Sequence, residues 1–429
     1  MSHAEASKSP SPAPPEQVET THPHLLRNKP FTRFMTGFSM SLLGDQIWFV
    51  ALGWSASHLG SPLQTAAVMA CASVPRALLI LLGGTLSDRH GALRLALASQ
   101  TLRVATMTVA FALLSLLGPS IVLLISVAVV FGAVDAVHMP AAASLPPKLV
   151  DKPSLPAAQG AVQTLERTAT VAGAPLGGVL VAFHGLSAAT AVNALLFLIA
   201  LTVMRGLKKH TPITPSSQLT SESTWKSLRG GLSYVRTESL IGRLLLVITA
   251  LNLCLAAPLN VGLALLASDR GWGATGFSTL ITGFAAGAIA GALFTASRRS
   301  PSRPGATGLR WAACCGASIA LLPWFTQLPL AAASAALIGF TIGPASALLF
   351  GLVQARTHDD YRGRVTSLAT FSALGLTPIS FTLFGLLASA FSPTTAILSC
   401  SVALTAASAL AYSNHALRSA TLKQPPSTD

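Results

Sequence analysis

Residues 74–91 read VPRALLILLGGTLSDRHG. In this stretch an apolar run ends in an acid and a base, Asp88 and Arg89, which stand between glycines. Apolar runs of this kind recur along the chain of 429 residues, in which 51% of the residues are hydrophobic and only 10% are charged. In soluble domains about a quarter of the residues are charged. The sequence therefore predicts an integral membrane protein.

The apolar runs predict an all-α fold with twelve transmembrane helices in two six-helix halves. A bilayer core about 30 Å thick requires roughly 20 apolar residues per helix, and runs of that length are separated by charged or proline-rich breaks. Transmembrane β-strands are excluded because they alternate over about 10 residues, whereas these runs are continuously apolar. The predicted spans are residues 34–57, 64–87, 95–117, 121–144, 156–182, 187–204, 244–266, 275–297, 311–326, 329–353, 365–390 and 394–413.

Polar stretches divide the chain into five expected parts. The first residues are rich in Pro, Ser and Glu, a composition typical of a disordered tail, and a long polar stretch separates the sixth span from the seventh. The parts are a disordered cytoplasmic tail (1–30), an N-terminal bundle (31–206), a cytoplasmic linker (207–238), a C-terminal bundle (239–415) and a second cytoplasmic tail (416–429).

The basic residues cluster on one side of the predicted spans. If the N-terminus is cytoplasmic, 24 of the 28 Lys and Arg residues lie in the tails and cytoplasmic connections. This bias is the positive-inside rule, which places both termini in the cytoplasm. The net charge of +14 is thereby explained by contact with the lipid bilayer, and a nucleic-acid partner is not expected.

The end of the second span carries a glycine-rich motif. Its residues match the pattern G-x-L-x-D-R-x-G, and the sequence there resembles the major facilitator superfamily. An Asp at a helix end can interact with the positive N-terminal end of another helix, so we expect this segment to latch the two halves in one state. The alternative is a membrane anchor followed by a glycine turn. The gating residues are Gly84, Leu86, Asp88, Arg89, Gly91 and Arg94.

Other stretches resemble the drug:proton antiporter branch of that superfamily, which contains macrolide efflux pumps and the enterobactin exporter. They are LLGDQIWFVALGW (42–54), VPRALLILLGGTLSDR (74–89), NALLFLIAL (193–201) and YRGRVTSL (361–368), and GAPLGG (173–178) is similar to the glycine–proline turn of export-type members. The resemblance implies a transporter in the bacterial inner membrane that exports a drug-like compound or a siderophore in exchange for protons. It is also expected to work as a monomer.

Six ionisable residues lie inside predicted spans, all in the first half: Asp45, Arg76, Arg103, Asp135, Glu166 and Arg167. A charge at the bilayer centre costs at least about 2.5–3.5 kcal/mol, so these side chains must face protein or water. Counting about 1.5 Å per residue from the cytoplasmic charges puts Asp45, Arg76, Asp135 and Glu166 in one layer and Arg103 nearer the cytoplasm, where it would snorkel.

These charges supply the candidates for proton coupling. Coupling requires an acid controlled by a nearby base, and we predict that Asp45 pairs with Arg76. A permanent structural ion pair is the alternative, and the same alternative holds for Glu166 with Arg167. The full set of proton-coupling candidates is Asp45, Arg76, Asp135, Glu166 and Arg167.

The resemblance implies that spans one, four, seven and ten line a central cavity for a small-molecule substrate. His138 shares a helix face with Asp135 and either relays protons or only lines the cavity. In the eighth span Gly283, Gly287 and Gly291 recur every four residues, which predicts close helix packing. The cavity candidates are Gln46, His138, Asn252, Asn260, Thr341 and Ser346.

The sequence lacks the motifs that a membrane enzyme or an ATP-driven pump would need. No two acids stand three or four residues apart within a span, as the magnesium site of a prenyltransferase requires, and no G-x-x-x-x-G-K-[ST] loop for ATP occurs. The five cysteines lie in apolar runs without metal-like spacing. We expect no catalytic residue, no metal site and no cofactor. A proton-coupled importer of a nutrient or siderophore, and a non-transporting sensor, remain as alternatives.

Overall fold

The computed structural model describes residues 28–209, 233–298, 301–358 and 361–421, and within these ranges every regular element is a helix. Side chains are described for these ranges except at residues 80–90, 152, 156, 167, 208–209, 362–363, 367 and 374. The predicted tails and central linker lie mostly outside the described residues. The all-helical fold predicted from the sequence is confirmed.

The first half consists of six helices, α1 to α6. Asn28 begins α1, because its side chain accepts a hydrogen bond from the Phe31 amide at 3.1 Å and donates to the Leu149 carbonyl at 2.8 Å. The helices are α1 (Lys29–Leu59), α2 (Pro62–His90), α3 (Ala92–Leu117), α4 (Ile121–Ala143), the short α5 (Pro146–Leu149) and α6 (Leu155–Arg205).

The long helix α6 consists of two helical segments that are joined at a break. Gly185 has a φ of 73°, a left-handed conformation that favours glycine, and it divides α6 into a first arm, 155–184, and a second arm, 186–205. The break falls between the predicted spans 156–182 and 187–204. The sequence therefore located this turn correctly.

The second half continues with α7 to α15. The first of these helices passes through a π-helical turn at Pro258–Gly262, because Pro258 cannot donate its backbone hydrogen bond. The helices are α7 (Ser239–Ala257), α8 (Leu263–Asp269), α9 (Gly273–Ser297), α10 (Pro304–Ile319), α11 (Leu328–Arg356), α12 (Arg362–Leu374), α13 (Thr377–Ala390), α14 (Pro393–Ser413) and the short α15 (His415–Arg418).

Nine helical segments of the described chain are long and apolar enough to cross a membrane. One of them, Ala157–Arg205, contains the break at Gly185, and the helices α1 and α2, of 31 and 29 residues, are not among the nine. The count of twelve spans therefore stays a prediction. The predicted ninth span, 311–326, starts too late, since α10 already begins at Pro304 and its exposed Arg310 donates to the Tyr412 hydroxyl at 2.7 Å.

Glycines allow helices of each half to approach closely. A β-carbon at Gly283 would lie only 2.7 Å from the Ala332 carbonyl oxygen on α11, and β-carbons at Gly287 and Gly291 would overlap the next carbonyls along the same helix. The close packing predicted from this glycine spacing is confirmed, with α11 as the partner of α9.

The two halves are in contact at one end of the bundle. There the first arm of α6 meets α9, since a β-carbon at Gly178 would overlap the Ser278 side chain, and α2 meets α13, since one at Gly385 would overlap Ala66. Residues 28 and 421, at which the described chain begins and stops, lie at the opposite end. At that end the Arg33 side chain donates to the Gly206 carbonyl at 3.3 Å. The halves therefore enclose a space that is closed on one side.

Candidate functional site

A cavity of about 380 Å³ lies between the two halves. Its first-half wall comes from α1, α2 and the first arm of α6, and its second-half wall comes from α7, α8, α9, α13 and the π-helical turn. The lining residues are Gln46, Phe49, Val50, Ser73, Arg76, Thr170, Ala256, Leu259, Asn260, Leu263, Phe277, Ile281, Phe284, Thr377 and Phe381. Such a space suits a small organic molecule with a large apolar part.

Behind the first-half wall, four charged side chains form a continuous network. Arg103 pairs with Asp45, Arg76 pairs with Asp135, and the Arg103 Nη2 atom lies 3.5 Å from the Asp135 Oδ1 atom. The network therefore runs from Asp45 through Arg103 and Asp135 to Arg76. Its last member lines the central cavity.

Arg103 occupies the centre of this network and is completely buried. Its Nη1 atom donates to the Ser41 hydroxyl at 2.6 Å and to the Gln100 side-chain oxygen at 3.3 Å. Its guanidinium lies 4.1 Å from the ring centre of Phe197, which is cation–π geometry. Hydrogen bonds and an aromatic face replace the water that Arg103 loses on burial.

Two predictions about these charges were wrong. Asp45 pairs with Arg103 rather than with Arg76, and Arg103 does not snorkel towards the cytoplasm. Counting residues along a helix gives an axial depth but neither the direction in which a side chain points nor the several ångströms that an Arg side chain can span. Arg103 lies on α3, which contacts both α4 and the second arm of α6, so it reaches both acids from inside the bundle.

The other proton-coupling candidates lie on the first arm of α6. Glu166 is partly buried, and its backbone carbonyl accepts a hydrogen bond at 3.0 Å from Thr170, which lines the cavity. The Arg167 side chain lies outside the described residues.

His138 is buried between helices. Its Nδ1 atom lies 3.0 Å from the Ser99 hydroxyl, and its Nε2 atom is buried without a hydrogen-bond partner among the described residues. It lines none of the described cavities. The histidine is therefore placed one helical turn from Asp135 but away from the substrate space.

The predicted cavity residues are divided among three places. Gln46 and Asn260 line the central cavity, and Asn260 lies on the π-helical turn. Asn252 and Ser346 line a second cavity of about 240 Å³ inside the second half, which shares wall residues with the central one. Thr341 is buried, donates to carbonyls of its own helix and lines none of the described cavities.

Sequence reasoning missed the aromatic lining. Phe49 on α1 faces Phe277, Phe284 and Phe381 of the second half around the cavity. A phenylalanine in an apolar run carries no sign of the face it occupies, so these residues could not be chosen from the sequence. Arg103, by contrast, was visible as an unexplained charge in an apolar run.

The predicted gating residues lie where α2 ends and α3 begins. Gly84, Leu86, Asp88 and Arg89 are in the last turns of α2, and their side chains lie outside the described residues. Gly91 then separates the helices with a φ of 83°. The gating set is completed by Arg94, which is exposed in the first turn of α3.

The residues GAPLGG bring three helices together. A β-carbon at Gly173 would lie 2.6 Å from the Gln46 side chain on α1, and one at Gly177 would lie 3.0 Å from the Ile47 α-carbon. At Gly178 the first arm of α6 meets α9 of the other half. The motif thus joins the cavity wall to the closed end of the bundle.

An all-helical bundle of two halves around a central cavity is an architecture that many membrane transporters share. The family model described as "Major Facilitator Superfamily" matches residues 31–380. The chain belongs to this superfamily. A comparison with curated protein sequences found no significant match.

Solved transporter structures have the same fold. A bacterial homologue of the iron transporter ferroportin in an inward-facing state is similar, with a TM-score of 0.70, 17% identity and coverage of 90% of this chain and 99% of that one. A peptide transporter of the POT type in complex with sulfate has a TM-score of 0.70, 15% identity and coverage of 92% and 96%. A variant of the nucleoside transporter NupG has a TM-score of 0.67, 12% identity and coverage of 88% and 97%.

Proposed function

We propose that this chain is a twelve-helix secondary active transporter that exports a small organic molecule, a drug-like compound or a siderophore, across the bacterial inner membrane in exchange for protons. It needs no further subunit. The observation that supports coupling best is the buried network from Asp45 to Arg76, because it joins two acids to the wall of the central cavity. Buried ionisable groups in membrane helices are expensive and mark ion pathways.

Coupling follows from the position of Arg103 between two acids. When Asp45 takes up a proton, its attraction for Arg103 falls, and Arg103 is then free to bind Asp135 alone. Asp135 in turn holds Arg76 less firmly at the cavity wall. The side chain of Asp45 is 20% exposed and can take up a proton. Its protonation thereby changes how firmly Arg76 is held in the cavity wall.

Transport proceeds by alternating access between the halves. With both termini in the cytoplasm, the closed end of the bundle faces outward and the cavity belongs to the inward-facing state. Asp88 and the other gating residues would latch the halves in the opposite state, when the cytoplasmic ends meet.

A second candidate is uptake of a nutrient or siderophore together with protons. It is favoured by one observation, the cation Arg76 in the wall of the cavity. Protonation of Asp45 would release Arg76 towards an anionic molecule, so that the anion and the proton would bind together.

The proposed function can be tested before the substrate is identified. Proteoliposomes containing the purified protein are given a pH gradient and a defined mixture of antibiotics, siderophores, nucleosides and organic acids, and mass spectrometry then identifies the compounds inside. At least one compound should be moved, and a protonophore should abolish its movement. No movement of any compound, or movement that is insensitive to the protonophore, would contradict the proposal.

The topology gives a first prediction. A reporter fused to the C-terminal Asp429 should be active in the cytoplasm, because the basic loops require that side. Activity of paired alkaline phosphatase and green fluorescent protein fusions in intact cells measures this. An extracytoplasmic signal would contradict both the span count and the inward-facing assignment.

The closed end gives a second prediction. The change Gly178→Val inserts a side chain where the halves touch, and overpacking of this kind costs about 1–3 kcal/mol. The closed state should therefore lose about fivefold to 150-fold in population relative to the outward-open state. Spin labels at Ser120 and Thr394, with the exposed Cys314 replaced by Ser, report the distance across that end.

The matched control for this change is Gly160→Val in the same arm of α6, where a β-carbon would meet nothing within 4 Å. The control should keep the short label distance of the parent protein, and Gly178→Val should lengthen it. Equal distances in the two variants would show that the contact at Gly178 does not hold the halves together.

A further inference from the structure

The central cavity has one charged residue in its described lining. That residue is Arg76, and the polar remainder of the lining consists of amide and hydroxyl side chains. The hydroxyl groups of Ser73, Thr170 and Thr377 donate to carbonyls of their own helices. The wall of the cavity therefore presents a positive charge and no described negative one.

Arg76 uses only part of its hydrogen-bonding capacity. A guanidinium has five N–H donors in a planar fork, and in this structure Nη2 binds Asp135 while Nε is buried without a partner among the described residues. The guanidinium carbon also lies 5.5 Å from the ring centre of Phe49. The fork is thus held in place from one side. The Nε donor is buried, but the side chain is 20% exposed and lines the cavity, so a ligand there can reach the Nη side of the fork.

The charged groups of the network around Arg76 all lie behind the cavity wall, and together with Arg76 they comprise two cations and two anions. Asp135 faces it from α4, Arg103 from α3 lies against the other oxygen of Asp135, and Asp45 from α1 faces Arg103. His138 lies one turn from Asp135 and contacts Ser99. Because Arg103 also lies 3.5 Å from Asp135, this carboxylate keeps one cationic partner when Arg76 binds another anion.

Opposite Arg76 the cavity is apolar and aromatic. Phe277, Phe284 and Phe381 of the second half lie on this side, together with aliphatic residues of α7 and α8. The total volume of about 380 Å³ is in the range of small-molecule sites. The same wall carries Asn260 and Thr377, whose side chains donate to backbone carbonyls one helical turn earlier. The cavity therefore has a cation on one wall and a mainly apolar, aromatic surface on the other.

We propose that the transported molecule is an amphipathic organic anion, whose carboxylate binds the free donors of Arg76 and whose apolar body lies against Phe277, Phe284 and Phe381. This inference rests on the proposed transport activity, in either of the two directions described above, and specifies the class of its substrate. Carboxylates are the groups that a planar guanidinium binds with two parallel hydrogen bonds. A cationic head group at the same place would meet Arg76 and is disfavoured.

Three probes with one body and different head groups test this substrate class. They are 4-phenylbutyrate, 4-phenylbutanamide and 4-phenylbutylamine, and their binding to the purified protein in neutral detergent is measured as the concentration dependence of the unfolding temperature. A hydrogen bond to a charged group contributes about 1.5–3 kcal/mol, so the carboxylate should bind about tenfold to 150-fold more tightly than the amide. The amine should bind least.

Variants then assign the preference to Arg76. Arg76→Gln should remove the preference for the carboxylate over the amide, whereas Arg310→Gln, at an exposed arginine that contacts Tyr412, should keep it. If Arg76→Gln does not fold, Arg76→Lys decides, because it keeps the charge but loses the fork, and the preference should persist at a several-fold smaller value. An unchanged preference in either Arg76 variant would overturn the proposal.

The probe experiment needs no gradient, so its failure differs from failure of the proposed function. Tight carboxylate binding without any proton-dependent movement in proteoliposomes would support the anion site. The same result would overturn the proposal of proton-coupled transport. Proton-dependent movement of a neutral or cationic compound, with no preference for the carboxylate in the wild-type protein, would overturn the anion site alone. The expected result is a preference for the carboxylate that is lost in Arg76→Gln and kept in Arg310→Gln.

Discussion

Replacement of Arg103 with leucine is expected to destabilise the protein by about 3–5 kcal/mol, the usual cost of removing one partner from a buried ion pair. Arg103 is completely buried, pairs with Asp45 and lies 3.5 Å from Asp135. Its loss leaves Asp45 without this counter-ion and Asp135 with Arg76 alone. Most of the protein should therefore fail to fold, as measured by the monodisperse fraction and the unfolding temperature in detergent.

The controls separate the lost charge pairing from the lost volume. Arg310→Leu removes an exposed arginine that contacts α14 through Tyr412, and it should change the unfolding temperature little. The double variant Arg103→Leu with Asp45→Asn should recover part of the lost stability, because the unpaired acid is then gone. Wild-type stability of Arg103→Leu would contradict the central position of this residue.

The second large effect is expected for Asp45→Asn, which should abolish proton-driven accumulation of substrate while leaving the protein folded. The variant is expected to fold because Arg103 keeps Asp135, Ser41 and Gln100 as partners. The amide has nearly the same size but no proton to exchange. Accumulation against a gradient should fall to background, whereas exchange of labelled for unlabelled substrate across the membrane should continue.

An exposed acid supplies the matched control. Glu238→Gln, at the start of α7, should accumulate substrate as the wild-type protein does. If Asp45→Asn is well folded and still accumulates substrate normally, Asp45 does not carry the proton, and Asp135 or Glu166 takes its place as the candidate.

Apolar run length and glycine placement were sufficient to predict the all-helical fold and some of its packing. The break at Gly185 fell between two predicted spans, and the glycines of α9 pack against α11 as their spacing indicated. Both features depend on local rules: the length needed to cross a bilayer and the small volume of glycine. The late start predicted for α10 arises because the charge of Arg310 indicates a loop, although an arginine at the end of a membrane helix can reach outward from it.

The site was only partly predictable, because partners across helices depend on rotation about each helix axis. Asp45 and Arg103 are separated by 58 residues, and nothing local to either one identifies the other. Gln46 and Asn260 line the central cavity, whereas Thr341 is buried and does not line it. The resemblance implied that spans one, four, seven and ten line the cavity, which was only half right. The described lining of the central cavity comes from spans one and seven and also from spans two, five, eight and eleven, with no residue of α4 or α11.

The most direct test of the account is whether protons move with substrate through the Asp45 network. Proteoliposomes are loaded with a pH-sensitive dye and given a gradient of the compound identified in the transport screen, with no initial pH gradient. In the wild-type protein the dye should report a proton movement that scales with the substrate moved, and in Asp45→Asn it should report none although exchange of substrate persists. Proton movement of equal size in Asp45→Asn, or none in the wild-type protein, would contradict the account.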